Sequence, residues 1–132
     1  MSKPAADQRP ARDNSGRRIL VVEDNPVVNS LLTKLLRDEG YEVAQAFDGE
    51  EGLRLASLFN PRVIILDIRL PRMDGWHVLD ALKRSPGLSQ IPVILTSLTD
   101  QPQLGQWLGA VDFMRKPLDI LALLARLKEL IP

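Results

Sequence analysis

The sequence predicts a single α/β domain: a five-stranded parallel sheet, doubly wound in (βα)5 order with helices on both faces. From Arg18 onward, short aliphatic runs alternate with amphipathic segments of about a dozen residues. The runs at 19–22 and 63–66 are wholly apolar, as expected of strands buried on both faces. A length of 132 residues suits one domain with a substantial core.

Composition excludes several classes of protein. Lys and Arg total 17, Asp and Glu total 17, and 45% of the residues are hydrophobic, which is typical of a soluble globular protein. This balance gives no basic face, so we expect no direct nucleic-acid binding and no membrane partner. Cysteine is absent, which excludes disulfides and thiolate metal sites and agrees with a cytoplasmic location.

Residues 1–17 differ from the remainder of the chain. The segment is polar and mildly basic, contains two prolines, and has no apolar run that could act as a signal peptide or span a membrane. We expect a mobile N-terminal tail at 1–17 and one domain over 18–132.

The first strand is predicted over 18–23, and a helix follows it. Asn25 suits the N-cap, Pro26 suits the first turn, and Gly40 ends the helix. Apolar residues recur at helical spacing between them: Val27, Val28, Leu31, Leu32, Leu35 and Leu36.

The middle of the chain repeats this strand and helix alternation. A second strand is predicted over 41–47, a second helix over 49–59 and a third strand over 63–67. A third helix begins at Asp74 and ends near Ser85, where Pro86 and Gly87 follow.

The last third begins with a fourth strand over 91–96 and a fifth over 111–114. The intervening 98–109 segment contains proline and two glycines, so it predicts only a short or irregular fourth helix. The final helix, over 118–131, carries one apolar face, and the pattern totals five strands and five helices.

Polar side chains follow several of these apolar strands: Glu23 and Asp24, Asp67, Thr96 and Lys116. Because parallel strands joined by right-handed crossovers end at the same edge of a sheet, we expect the five to meet. Clustered carboxylates repel one another unless a cation joins them, and Mg²⁺ prefers oxygen ligands. A lysine and a hydroxyl beside them indicate magnesium-assisted phosphoryl chemistry.

In these motifs the chain resembles the receiver domains of two-component response regulators, over nearly all of the sequence from Arg18. The matching elements, each at the end of its strand, are Glu23-Asp24, Asp67 with Pro71 and Met73-Asp74-Gly75, Thr96, and Lys116-Pro117. The resemblance implies the flavodoxin-like receiver fold of single-domain chemotaxis regulators.

The resemblance also implies residue roles. Asp67 would accept a phosphoryl group from a histidine kinase, a histidine phosphotransfer protein or a small acyl phosphate. Glu23, Asp24 and Asp67, with the backbone carbonyl of Arg69, would bind Mg²⁺, and Lys116 would contact the phosphoryl oxygens.

Phosphorylation would then move a switch. Thr96 would turn toward the phosphoryl group and open space for the aromatic ring of Phe113, and the Lys116-Pro117 bond would be cis. The protein would catalyse only its own phosphotransfer and dephosphorylation. It would control a downstream protein target, as a monomer or a phosphorylation-dependent homodimer.

Alternatives remain open from the sequence. Glu23 or Asp24 alone could do no more than cap a helix, Thr96 could end a strand, and Phe113 could belong to the core. His77 suits the surface or internal packing. Leu104 and Trp107 could form a partner patch or pack internally. A phosphatase with an aspartyl nucleophile would need a second Asp where Arg69 stands.

A phosphorylation-independent interaction module of the same fold is the rival function. The chain stops at Pro132 after the last predicted helix, so we expect a stand-alone regulator or the excised receiver of a larger regulator or hybrid kinase. Thr96 and Lys116 are 20 positions apart, about two fewer than is usual in the family, which shortens the region of the fourth helix.

Overall fold

The computed structural model describes residues 15–99 and 108–132. Within them, five strands and four helices alternate, except that the described residues contain no helix between the last two strands. The elements are β1 (Arg18–Val22), α1 (Pro26–Asp38), β2 (Glu42–Ala46), α2 (Gly49–Phe59), β3 (Val63–Asp67), α3 (Gly75–Arg84), β4 (Val93–Ser97), β5 (Asp112–Arg115) and α4 (Ile120–Leu130).

All five strands form one parallel sheet in the order β2-β1-β3-β4-β5. This confirms the predicted doubly wound, flavodoxin-like fold. The strand order reverses at β1, which has β2 on one side and β3 on the other. In such sheets the functional crevice lies beyond the carboxyl ends of the strands at this reversal, and here that is the end of β1 and β3.

Two apolar clusters fill the space between the sheet and the helices. Alternate residues of β1 divide between them: Ile19 and Val21 pack with residues of α1 and α4, and Leu20 and Val22 pack with residues of α2 and α3. A strand that buries both sets has no polar face, which explains the continuous aliphatic runs of β1, β3 and β4.

Two helix starts match their sequence predictions, and the start of the last helix does not. Asn25 caps α1 by accepting from the N–H groups of Val27 and Val28, with Pro26 at the first helical position. Asp74 caps α3 by accepting from the His77 N–H, and Asp119 caps α4 by accepting from that of Ala122. The last helix therefore begins at Ile120, two residues later than its apolar pattern predicts.

Only part of the apolar residues that recur along α1 is buried. Leu32 and Leu36 are buried, but Val27 and Leu31 are 74% and 59% exposed. The stripe that faces the sheet is Asn29, Leu32, Thr33 and Leu36. The apolar residues of α1 therefore extend around the helix, and part of them forms a surface.

Several sequence predictions fall outside the described residues: the tail over 1–14, most of the fourth helix predicted over 98–109, and the Leu104 and Trp107 patch. The end of the predicted tail is described. Ser15–Arg17 form a 3-10 turn, and the Arg17 guanidinium lies 4.4 Å from the centre of the Tyr41 ring. Across 15–99 and 108–132, none of the helices has the length and apolarity needed to cross a membrane.

Candidate functional site

Three carboxylates meet at the strand reversal. Glu23 and Asp24 directly follow β1, and Asp67 is the last residue of β3. Each offers an oxygen, and these oxygens lie within 4.8 Å of one another. Glu23 and Asp67 are only 4% and 3% exposed, whereas Asp24 faces solvent. The cluster is therefore buried on one side and open on the other.

Lys116 supplies the positive charge of this site. Its Nζ donates to Glu23 Oε1 at 2.5 Å and to Asp67 Oδ2 at 3.1 Å. Its backbone N–H donates to the carbonyl of Ser97 at the end of β4, and its bond to Pro117 is cis. Burial would lower the pKa of Lys116, but Glu23 and Asp67 together raise it above its ordinary value. The ammonium is thus held in its charged form between two buried carboxylates.

The second oxygen of Asp67 is also occupied. Asp67 Oδ1 accepts from the backbone N–H of Arg69 at 3.1 Å. Behind it, the N–H of Gly75 donates to the Ile68 carbonyl at 2.7 Å, and a Cβ on Gly75 would lie 2.5 Å from the Asp67 carbonyl oxygen. Helix α3 therefore starts in direct contact with the backbone of Asp67, and only glycine permits that approach.

Thr96 lies beside Asp67. The two residues are register partners in β3 and β4, and Thr96 is 3% exposed. Phe113 pairs instead with Leu95 and packs, partly buried, against the cluster shared with α2 and α3. The structure thus brings Thr96 to the site and places Phe113 one strand further out, on the opposite face of the sheet.

The donor set fits a hard divalent cation. Carboxylate oxygens within 4.8 Å of one another, with one side open to water, suit the oxygen coordination that Mg²⁺ requires. Desolvation and the adjacent carboxylate of Glu23 raise the pKa of Asp24. Three carboxylates face the single ammonium of Lys116, so negative charge remains that a cation would neutralise.

An apolar groove adjoins the site. It has a volume of about 440 Å³ and is bounded by α1 on one side and by the segment after β5 on the other. Thr96 and Lys116 form part of its wall. Its apolar lining includes Val27, Leu31, Leu35, Leu98, Leu118 and Ile120. The apolar side chains of α1 that are not in the core therefore lie next to the carboxylates.

The sequence interpretation missed a buried polar cluster behind Glu23, formed by Asn29, Thr33 and Gln45. Asn29 is fully buried and Thr33 is 2% exposed. Asn29, Leu32, Thr33 and Leu36 are spaced as on one face of a helix. A search for helical spacing that includes polar residues as well as apolar ones could therefore have identified this buried cluster. His77, expected on the surface or in packing, lies on the surface, with 75% of its side chain exposed.

The family comparison agrees with this arrangement. The family described as response regulator receiver domain matches residues 19–128, and the chain belongs to that family. It is thus a receiver domain of two-component signalling. Members of this family are signalling phosphoacceptors that interact with histidine kinases and downstream effectors.

Two relatives show how similar this domain is to others. PleD of Caulobacter vibrioides, a response regulator, is 42% identical over 116 residues, which are 86% of this chain and 26% of PleD. RpaA of Synechocystis, a DNA-binding dual master transcriptional regulator, is 38% identical over 117 residues, 86% of this chain and 48% of RpaA. The chain therefore spans about half or less of the length of these relatives.

Solved structures resemble the whole domain. The chemotaxis protein CheY4 of Vibrio cholerae superposes with a TM-score of 0.80 at 29% identity, covering 86% of this chain and 97% of CheY4. The receiver domain of a histidine kinase from Syntrophus aciditrophicus gives 0.79 at 36% identity, covering 86% and 89% of the two chains.

Proposed function

We propose that this receiver domain accepts a phosphoryl group on Asp67 in a Mg²⁺-dependent reaction and then changes conformation to control a protein partner. The observation that carries the proposal is the buried Asp67 carboxylate, which lies at a strand end 3.1 Å from Lys116 Nζ and within reach of two further acids. A nucleophile, a counter-charge and a cation site in one crevice are what phosphoryl transfer needs.

In the proposed step, an oxygen of Asp67 attacks the phosphorus of a phosphohistidine or of an acyl phosphate. The new bond joins phosphorus to that oxygen, the bond to the imidazole nitrogen or the acyl oxygen breaks, and the leaving group takes the electron pair. Lys116, already in contact with Asp67, would then contact the phosphoryl oxygens. Glu23, Asp24, Asp67 and the Arg69 carbonyl would hold Mg²⁺, which when bound neutralises charge on the carboxylates and the phosphoryl group.

Phosphorylation would also change the conformation around β4. Phosphorylation adds about −1.5 to −2 charges and new hydrogen-bond acceptors at the end of β3. Thr96 is the nearest hydroxyl in the register, so its movement toward the phosphoryl group would transmit the change to β4. Phe113 lies beside Leu95 on the opposite face of the sheet, so its ring would follow a shift of β4 as a whole and would not fill the space that the Thr96 side chain leaves.

The apolar groove is a suitable docking site for the protein that donates the phosphoryl group. Its wall includes Thr96 and Lys116, so a protein seated in it would present a group directly to Asp67. We propose that helices of the histidine kinase or histidine phosphotransfer protein occupy it, because the exposed apolar side chains of α1 suit a helical apolar surface. The kinase, the downstream target and the cytoplasmic location remain predictions.

Intact-mass measurement tests the proposed function. The protein is incubated with acetyl phosphate and MgCl₂, in parallel with Asp67→Asn and with a sample containing excess EDTA. The expected result is one added phosphoryl group on the wild type and none in either control. A folded wild-type protein that binds Mg²⁺ but gains no phosphoryl group would instead support an interaction module that works without phosphorylation.

A further inference from the structure

The backbone of Glu23 is held by a side chain from α1. Glu23 lies one residue beyond the last paired residue of β1, and its N–H donates to the Ala46 carbonyl at 3.0 Å. The Nδ2 group of Asn29 donates to the Glu23 carbonyl at 3.0 Å and to the same Ala46 carbonyl at 3.0 Å. Asn29 therefore joins the ends of two strands at the edge that carries the acids.

Every hydrogen-bonding position of this amide is used. Besides the two donated bonds, Asn29 Oδ1 accepts from Thr33 Oγ1 at 3.2 Å and from Gln45 Nε2 at 3.0 Å. The opposite orientation of the amide would set its oxygen against two carbonyl oxygens, so the surroundings select one orientation. The side chain is fully buried, which means that no water can replace a lost bond without rearrangement.

The carbonyl that Asn29 holds belongs to the peptide that joins Glu23 to Asp24. A peptide unit is planar, so holding its carbonyl orients the plane that contains the Cα atoms of both acidic residues. We propose that Asn29 is a positioning residue for the divalent-cation site, acting through this peptide on Glu23 and Asp24. The inference rests on the proposed Mg²⁺ site, and Asn29 itself touches neither the cation nor the phosphoryl group.

A substitution of Thr33 tests whether Asn29 positions the cation site or only stabilises the fold. Thr33 is buried in the same cluster, but its hydroxyl contacts only the oxygen side of the Asn29 amide. Thr33→Val removes that bond and leaves both carbonyl contacts of Asn29 in place. If the cluster only stabilises the fold, substitutions of Asn29 and Thr33 should have similar effects on cation binding. If Asn29 positions the acidic residues, only its substitution should change cation binding.

The experiment measures Mg²⁺ affinity by isothermal titration calorimetry for the wild type, Asn29→Ala and Thr33→Val. We expect the Kd of Asn29→Ala to rise about tenfold, as is typical when a group supporting metal ligands is removed. We expect the Kd of Thr33→Val to be unchanged. At saturating MgCl₂, the rate of phosphorylation by acetyl phosphate should return in Asn29→Ala toward that of the wild type, because Asp67 and Lys116 are intact.

The outcomes are distinguishable. If the wild type binds no Mg²⁺, the proposed function loses its cation site; if it binds and folded Asn29→Ala binds equally well, only the role of Asn29 is overturned. Should Asn29→Ala not fold, Asn29→Ser serves the same purpose, because one hydroxyl proton serves only one carbonyl. In the wild type, the side-chain amide resonances of Asn29 should also shift with Mg²⁺ saturation, and unchanged resonances would overturn the inference without any variant.

Discussion

The ammonium of Lys116 lies 3.1 Å from the carboxylate of Asp67 although the two residues are 49 positions apart in the chain. The same ammonium contacts Glu23. Both carboxylates are buried, so Lys116 compensates charge that solvent does not reach. Its contribution to folding should therefore depend on whether another cation is present.

Lys116→Met should destabilise the protein more without Mg²⁺ than with it. Removing the ammonium leaves two buried carboxylates without their partner, which costs about 3–5 kcal/mol. A bound divalent cation would restore part of the compensation. Urea unfolding in EDTA and again in MgCl₂ measures the two free energies, and equal losses in both conditions would contradict the cation site.

Lys128→Met is the matched control, because Lys128 is an exposed lysine of α4. Its stability should change by less than about 0.5 kcal/mol in either buffer. A magnesium-dependent effect at Lys128 would indicate a general influence of salt on surface charge.

Gly75→Ala should disturb both folding and phosphorylation. The added Cβ would meet the Asp67 carbonyl oxygen at 2.5 Å and Ile68 Cα at 2.6 Å, so either α3 or the end of β3 must shift. We expect a loss of about 2–3 kcal/mol in unfolding free energy, as in an overpacked site, and slower phosphorylation of Asp67 by acetyl phosphate.

Gly87→Ala provides the comparison for Gly75. A Cβ at Gly87 would meet no atom within 4 Å, and the position lacks a left-handed backbone. Its unfolding free energy should stay within about 0.5 kcal/mol of the wild type. Equal losses at the two glycines would show that the contact with Asp67 is not the cause.

Local patterns were sufficient to predict most of the fold. The ranges predicted for α2 and β3, 49–59 and 63–67, are those that the structure shows, and an unbroken aliphatic run marks the strand. The meeting of the strand ends could also be predicted from the sequence, because right-handed crossovers place the carboxyl ends of parallel strands at the same edge of the sheet. The five polar residues at those ends meet for that reason.

Contacts that depend on three-dimensional packing were not predictable in the same way. The apolar residues of α1 surround the helix, and sequence alone does not show that Leu32 enters the core while Leu31 borders a groove. Asn29 was missed because asparagine is usually a surface residue. Its burial can be recognised only once the fold shows which backbone carbonyls accept from its amide. Both cases are decided by which neighbours the fold supplies.

Asp74 should give α3 a pH-dependent contribution to stability. Burial would raise the pKa of Asp74, but the N–H and ring of His77 hydrogen-bond its carboxylate and lower the pKa below its ordinary value. A depressed folded-state pKa stabilises the protein above the unfolded-state value, and this contribution is lost as the pH falls through the folded-state value. Asp74→Ala should thus cost about 1 kcal/mol at pH 7 and less in acid.

Asp74→Asn isolates the charge, because an asparagine oxygen can still accept from the His77 N–H. Most of the stability at neutral pH should remain, while the dependence on acidic pH becomes smaller. Thermal unfolding from about pH 3 to pH 7 measures the stability of both variants. Identical pH profiles for Asp74→Asn and the wild type would show that the charge of Asp74 does not cause the pH dependence.

The phosphorylated protein should lose its phosphoryl group slowly. Arg69, two residues after Asp67, and Leu98, two after Thr96, provide no amide or acid to orient a hydrolytic water. Leu98 is 64% exposed and lines the groove beside Lys116. Leu98→Gln should shorten the lifetime several-fold and Leu98→Ala should not; loss from the wild type within seconds, followed by intact mass, would contradict the prediction.

Leu31→Lys should separate phosphorylation by a protein from phosphorylation by a small molecule. Leu31 is 59% exposed on the groove beside Asp67, and a charge there should weaken a docked apolar helix by about 2 kcal/mol, or more than tenfold in transfer rate. Acetyl phosphate needs no docking surface, so its rate should not change. Purified, autophosphorylated histidine kinases from the source organism are first ranked by their rate of phosphoryl transfer to the wild type, and the fastest is used.

Leu121→Lys is the matched control, because this leucine of α4 is 78% exposed and lies outside the groove lining. Equal kinase rates for both variants and the wild type would place kinase docking on another surface.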